Sequence, residues 1–162
     1  MPKSTMSTTL NYSPNFDVKK RKVKELKFII FHYTGMKKEN QAITRLTNTK
    51  SKVSSHYLIK NNGEILTLVP DLYIAWHAGV SSWKNYKSIN KYSIGIEISN
   101  PGHEYSYKKF SKKQIKSILK LSTYLRKKYK IKSNFILGHS DIAPDRKKRS
   151  GRKVSLEISF KK

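Results

Sequence analysis

The sequence predicts an α/β fold in which a mixed β-sheet is flanked by helices. Three observations carry that prediction. Residues 26–33 (LKFIIFHY) form an unbroken apolar and aromatic run, the pattern of a strand covered on both faces. Residues 93–99 (SIGIEIS) alternate, with Ile94, Ile96 and Ile98 on one face and Ser93, Gly95, Glu97 and Ser99 on the other. After Ser111, apolar residues recur at helical spacing for some five turns.

The other elements follow in chain order. Residues 1–24 are polar and end in a basic cluster, and they read as a flexible or loosely docked arm. Ile43 and Leu46 at helical spacing predict a short helix over 38–48. Two β-rich runs, 55–60 (SHYLIK) and 64–69 (EILTLV), flank Asn61-Asn62-Gly63 and predict a hairpin. Ser111 and Gln114 form a capping box, serine accepting at the N-cap and glutamine reaching back from N3. The stripe that follows is Ile115, Ile118, Leu119, Ser122, Leu125 and Tyr129. Residues 134–137 (NFIL) give a last strand, so the predicted order is β-α-β-β-β-α-β. One domain over 25–148 is expected, followed by an atypical tail over 149–162.

Composition narrows the function classes. The chain has 162 residues, enough to bury a core without staples. It has no Cys, which excludes disulfides, thiolate metal sites and a cysteine nucleophile. It has no run of ~18 apolar residues to cross a membrane. The first twenty residues lack the apolar core of a secretory signal, so a cytoplasmic location is expected by default, with a periplasmic or secreted one reached by another route as the alternative. The formal net charge is +25, from 35 Lys and Arg against 10 Asp and Glu. Of those 35 cations, 29 are Lys and 6 are Arg. Arg is the residue suited to bidentate phosphate recognition. A Lys-rich compositional bias therefore accounts for the charge, and no nucleic-acid-binding signature accompanies it.

Five His carry most of the candidate chemistry. His32 and His139 each close a predicted strand, in FIIFH and NFILGH, and strand ends are where sites collect in α/β sheets. If those strands are neighbours, two imidazoles, common zinc ligands, meet at one rim. Glu97 is an acid inside a strand of a chain poor in acids. It is either a general base or a solvent-facing residue of an amphipathic strand. Trp76-His77-Ala78-Gly79 either lines a groove or forms an ordinary turn. His56 reads as a packed strand residue and His103 as a solvated loop residue.

The segments FHYTG (31–35), SSHYLI (54–59), WHAG (76–79), SIGIEISN (93–100) and GHSDIAPDRK (138–147) together resemble the type 2 N-acetylmuramoyl-L-alanine amidases, zinc amidases of peptidoglycan related in fold to the peptidoglycan-recognition proteins. The resemblance implies a groove for peptidoglycan or a muropeptide and a Zn2+ held by two His and a third ligand, usually Asp. By motif, His32 and His139 fall on the two His ligands, Glu97 on the water-activating acid and Lys147 on the residue that stabilises the oxyanion. Thr34, His56, Trp76, His77 and Asn100 fall in motifs bordering the groove. The implied reaction is hydrolysis of the amide between the lactyl group of N-acetylmuramic acid and L-alanine, and a monomeric enzyme is expected. The alternative is a non-catalytic peptidoglycan-binding module.

One departure bears on the metal. In the family the Arg-Lys pair is followed by one residue and then Asp-Pro-Gly, often running into Phe-Pro-Trp, and that Asp is the third ligand. Here the position is Arg149, a cation that cannot ligate zinc, followed by Ser150-Gly151. Asp141 and Asp145 stand nearby, but their spacing does not match the motif. Residues 149–157 (RSGRKVSLE) can be encoded as AGA-TCC-GGG-AGA-AAA-GTT-TCC-TTG-GAA. Deleting one A from the adenine run implied by Lys147-Lys148 makes the same bases read Asp-Pro-Gly-Glu-Lys-Phe-Pro-Trp. The hypothesis is that residues 149–162 are a frameshifted tail. Gene sequencing is expected to reveal Asp-Pro-Gly in the shifted frame directly after Lys148, and a codon set without it excludes the hypothesis.

Overall fold

The computed structural model describes residues 6–143. Its elements are β1 (Thr9–Leu10), β2 (Phe16–Asp17), β3 (Phe28–Tyr33), α1 (Glu39–Thr47), β4 (Tyr57–Ile59), β5 (Ile65–Thr67), β6 (Ile74–Ala75), β7 (Ser82–Trp83), β8 (Tyr86–Lys87), β9 (Ser93–Ile98), α2 (Lys112–Tyr129), β10 (Ile136–Gly138) and α3 (His139–Ile142). Six strands form the main sheet in the order β1-β5-β4-β9-β3-β10. The β4–β5 pair is antiparallel and the other four pairs are parallel, so the sheet is mixed as the sequence predicts.

The β3 strand lies inside the sheet, between β9 and β10, and is apolar on both faces. Phe28, Ile29, Ile30 and Phe31 are all buried. Ile29 and Phe31 pack with Ile94, Ile96 and Ile98 of β9 against α2. Phe28 and Ile30 pack on the other face with Ala78, Ile89, Leu137 and Ile142. Each such side chain contributes about 1.5–3 kcal/mol by leaving water. Ser111 caps α2, accepting from the Gln114 amide at 3.1 Å while the Gln114 side chain accepts from the Ser111 amide at 3.0 Å. In the hairpin, Gly63 takes φ +85° in the three-residue loop, a backbone that favours glycine.

Three expectations are corrected. The buried stripe of α2 is Gln114, Ile118, Leu121, Ser122, Leu125 and Tyr129, while Leu119 is 40% exposed. At 3.6 residues per turn Leu119 lies about 100° round the helix from Ile118, beyond the face that meets the sheet. The polar face of β9 is not a solvent face, because Ser93 and Gly95 are buried and face the functional side of the sheet. From residue 6 onward, the arm read as loosely docked is packed into the fold. In it β1 pairs with β5, β2 pairs with β6, and the Arg21 side chain is buried. Polarity misleads there because the segment docks through hydrogen bonds rather than an apolar stripe. Asn15 Nδ2 alone donates to the Asn48 and Val53 carbonyls at 2.8 and 2.9 Å.

On the α2 side, Asp71 is buried and its carboxylate accepts from the Tyr57 and Tyr129 hydroxyls, each at 2.5 Å, and from Lys128 Nζ at 3.0 Å. Burial alone would raise its pKa. The hydrogen bonds from Tyr129, Tyr57 and Lys128 outweigh that and hold it below the ordinary 3.8. A depressed carboxylate adds stability that is fully present above its unfolded pKa and is lost as pH falls through its folded value. Asp71→Ala is expected to cost about 3 kcal/mol at pH 7, and to weaken the loss of stability on acidification below pH 3.8, in denaturant titrations across pH.

Candidate functional site

A cavity of about 990 Å³ opens at the carboxyl ends of the central strands, and His32, Thr34, Trp76, His77, Glu97 and His139 are among the residues that line it. Strand pairing brings three of them together. The β10 strand runs parallel to β3, with Gly138 opposite Phe31, so His139 follows at the rim where His32 emerges. The β9 strand runs parallel on the other side of β3 and sets Glu97 opposite His32. The condition that the sequence leaves open, that the strands closed by His32 and His139 are neighbours, is met.

The imidazoles form a line. His32 Nδ1 and His139 Nδ1 are 2.8 Å apart. His32 Nε2 lies 2.9 Å from His77 Nδ1, and His77 Nε2 lies 3.0 Å from Ser93 Oγ. Burial, and then the neighbouring rings of His32 and His56, hold His77 well below the usual imidazole pKa. Its backbone is pinned as well, since the Asn90 side-chain oxygen accepts from the amides of His77 and Ala78 at 3.3 and 2.8 Å. Gly95 leaves the space for this ring, because a Cβ there would lie 2.3 Å from His77 Cγ.

Other residues predicted from the sequence are placed differently. His56 is fully buried and does not line the cavity. Its Nδ1 accepts from the Gly95 amide at 3.0 Å, which leaves Nε2–H to donate to the Tyr73 carbonyl at 2.9 Å. Burial and the adjacent Arg21 cation push its pKa down to about 3, so it stays a neutral packing group. Asn100 is buried too, and its side chain ties the Gly102 amide and the Lys108 carbonyl together at 2.9 and 2.6 Å. Thr34 Oγ1 lines the cavity but is engaged with the Asn100 backbone on both sides, donating at 3.1 Å and accepting at 3.2 Å. Asn100 and Thr34 therefore shape the loops that border the groove. Trp76 is partly exposed on the wall, its Nε1 donating to Asp17 at 2.8 Å. Asp141 accepts from the Gly138 amide at 2.7 Å and so caps α3. Lys147, Arg149 and Asp145 lie outside the described residues.

Sequence reasoning missed Ser93, Gly95 and Arg21. The period-two pattern could have found the first two, since Ser93, Gly95 and Glu97 share one strand face. Arg21 stands among lysines, yet it is the residue with five fixed donors. Its guanidinium donates to the Asn90, Ser93, Asp71 and Tyr73 carbonyls at 2.6–2.8 Å, and burial lowers its pKa to about 10.

Two imidazoles whose Nδ1 atoms lie 2.8 Å apart, on a rim shared with a carboxylate residue, are side-chain types that suit a divalent cation and a hydrolytic water. Among the described residues, no group of three or more His, Cys, Asp or Glu is arranged to hold a metal. A family model described as N-acetylmuramoyl-L-alanine amidase matches residues 21–152. The chain belongs to the type 2 N-acetylmuramoyl-L-alanine amidases. Within this amidase family, N-acetylmuramoyl-L-alanine amidase AmiD of Escherichia coli (strain K12) is 36% identical over 138 residues, which cover 78% of this chain and 49% of AmiD. The chain spans about half the length of the curated relatives it matches. A crystal structure of an AmpD derivative superposes with a TM-score of 0.74 at 28% identity, covering 88% of this chain and 86% of that one. AmiD from E. coli, in complex with the substrate anhydro-N-acetylmuramic acid-L-Ala-D-gamma-Glu-L-Lys, superposes with a TM-score of 0.69 at 32% identity, covering 82% and 57%. These amidases share the mixed sheet and its helices. Among the described residues, no helix is long and apolar enough to cross a membrane.

Gly95→Ala forces the His77 ring or the strand to move. It is expected to cost about 2 kcal/mol in denaturant unfolding and to shift the His77 ring signals in NMR spectra.

Proposed function

We propose that this chain is a zinc-dependent amidase that hydrolyses the bond between the lactyl carboxyl of N-acetylmuramic acid and the amine of L-alanine, in peptidoglycan or in muropeptides released from it. One observation carries this reading. The Nδ1 atoms of His32 and His139 meet at 2.8 Å in an open cavity, on the strand ends beside Glu97. The substrate class is supported by AmiD, whose complex holds an anhydromuramoyl peptide named as its substrate.

The donor set fits zinc at two positions and departs from it at the third. Zinc takes neutral imidazole at about 2.0–2.1 Å, and a tetrahedral pair of such bonds separates the nitrogens by about 3.3 Å. The present separation is short of that by about half an ångström, which a small ring rotation supplies. His32 and His139 would hold the ion. The family's third ligand position is Arg149, whose guanidinium stays protonated and cannot serve. When bound, zinc supplies Lewis acidity toward the scissile carbonyl. Glu97 takes the proton of the attacking water and delivers it to the departing L-alanine amine, a role worth about 10²–10⁴ in rate. Lys147 stabilises the charge that develops on the carbonyl oxygen. Trp76 offers an aromatic wall to the muropeptide.

Zinc titration with a competing chelator and a cleavage assay test this reading together. The 162-residue chain is expected to hold zinc weakly. A chain reading Asp-Pro-Gly-Glu-Lys-Phe-Pro-Trp from position 149 is expected to hold it at least about 100-fold more tightly. In that chain, Glu97→Gln is expected to keep its zinc and lose about 10²–10⁴ in the rate of muropeptide cleavage. Tight zinc in the unaltered chain would mean that another ligand completes the site. Full cleavage by Glu97→Gln would remove Glu97 from the role of base.

A further inference from the structure

We infer that His77 is a positioning residue for His32. With Ser93 it fixes the His32 imidazole so that its Nδ1 lone pair faces His139. The inference rests on the reading of His32 as a metal-holding residue, and the hydrogen bonds themselves set the direction of every proton along the line.

The line of hydrogen bonds ends at Ser93. Ser93 Oγ lies 2.7 Å from the Ile89 carbonyl oxygen. A carbonyl has no proton, so the single hydroxyl proton of Ser93 is spent there. Ser93 Oγ must then accept from His77, and His77 carries its proton on Nε2, 3.0 Å away. A neutral imidazole has one N–H, so His77 Nδ1 is bare and accepts from His32 Nε2–H at 2.9 Å. His32 Nδ1 is therefore the bare nitrogen, and it is the atom 2.8 Å from His139 Nδ1. Without a metal, His139 Nδ1–H donates across that gap. With one, His139 moves its proton to Nε2, and both Nδ1 lone pairs are presented without net loss of a proton.

The surroundings leave His77 little freedom to do otherwise. Asn90 holds its backbone amide, and Gly95 leaves the space that its ring occupies against β9. Metal-bound His residues commonly donate their second ring N–H to an acceptor that fixes the tautomer. The usual acceptor is a carboxylate or carbonyl. Here it is a second imidazole, oriented in turn by a serine. His77 therefore supports His32 as well as lining the cavity.

Long-range ¹H–¹⁵N NMR of the metal-free, ¹⁵N-His-labelled full chain tests the tautomers directly. The expected spectrum has His32 and His77 both protonated on Nε2. His77→Phe keeps a ring but offers no acceptor, and His32 should then populate both tautomers. His77→Asn returns a polar side chain whose oxygen falls near the Nδ1 position, and should restore the Nε2–H form of His32. Ser93→Ala, a smaller change to the fold, should release the Nδ1–H form of His77. In zinc competition, His77→Phe should weaken binding by about 10–100-fold, with most of that regained in His77→Asn. A parent His32 protonated on Nδ1, or a His32 tautomer unchanged in both His77→Phe and Ser93→Ala, overturns the inference. An altered tautomer with unaltered zinc affinity overturns its positioning role. If the parent takes up no zinc while His77 still sets the His32 tautomer, the positioning inference stands and the metal-dependent reading of function falls.

Discussion

The parallel alignment of β3 between β9 and β10 fixes where His32, Glu97 and His139 can meet. Parallel strands end on the same edge of a sheet, so the residues that leave β3, β9 and β10 at their carboxyl ends share one rim. His32, Glu97 and His139 come from three segments far apart in sequence, and none would meet another without that pairing. The pairing is held by burial on both faces of β3 and by α2, whose apolar stripe covers the side of the sheet away from the site. Stability and chemistry are thus divided between the two faces of one sheet, and β9 shows the division within six residues. Its isoleucines face α2, while Ser93, Gly95 and Glu97 face the groove side.

A second constraint is space beneath the rim. His56 accepts from the Gly95 amide and the His77 ring packs across the Gly95 Cα, in a space that a Cβ at that position would close to the His77 ring. Arg21 closes the arrangement from outside. Its guanidinium gathers carbonyls from the segments around residues 71–73 and 90–93, which carry or flank the residues that hold His77. A buried cation there also keeps His56 neutral, which preserves its two hydrogen bonds. The site is therefore supported by polar contacts in several layers. A supporting shell of this kind holds catalytic groups to the small tolerances that hydrolysis demands.

What the sequence reveals follows from this physics. Strand ends, alternation and caps are local signals, and they located β3, β9, α2 and the three residues of the rim. The Asn61-Asn62-Gly63 turn was equally legible, because glycine at positive φ marks a specific backbone. The packing of residues 6–24 was not, since hydrogen bonds from Asn15 and Arg21 to distant carbonyls leave no periodic trace. The short strands β1, β2, β6, β7 and β8 each have two residues, below any length at which alternation can be read. His56 and Asn100 occupy motifs shared with the family, yet both are buried structural groups. A motif marks the neighbourhood of a site without separating the residues that touch substrate from those that hold the others in place. Leu121 was missed and Leu119 included because the stripe on α2 was centred one step too far round the helix.

The rim of β3, β9 and β10 is proposed to cut the lactyl–L-alanine amide. Mass spectrometry of an anhydromuramoyl tripeptide incubated with the protein and zinc tests it most directly. Two products are expected, a sugar with a free lactyl carboxylate and a peptide with a free L-alanine amine, formed by the chain whose frame restores Asp-Pro-Gly and suppressed by a chelator. Cleavage at another bond, or cleavage that persists undiminished after the metal is removed, would contradict it.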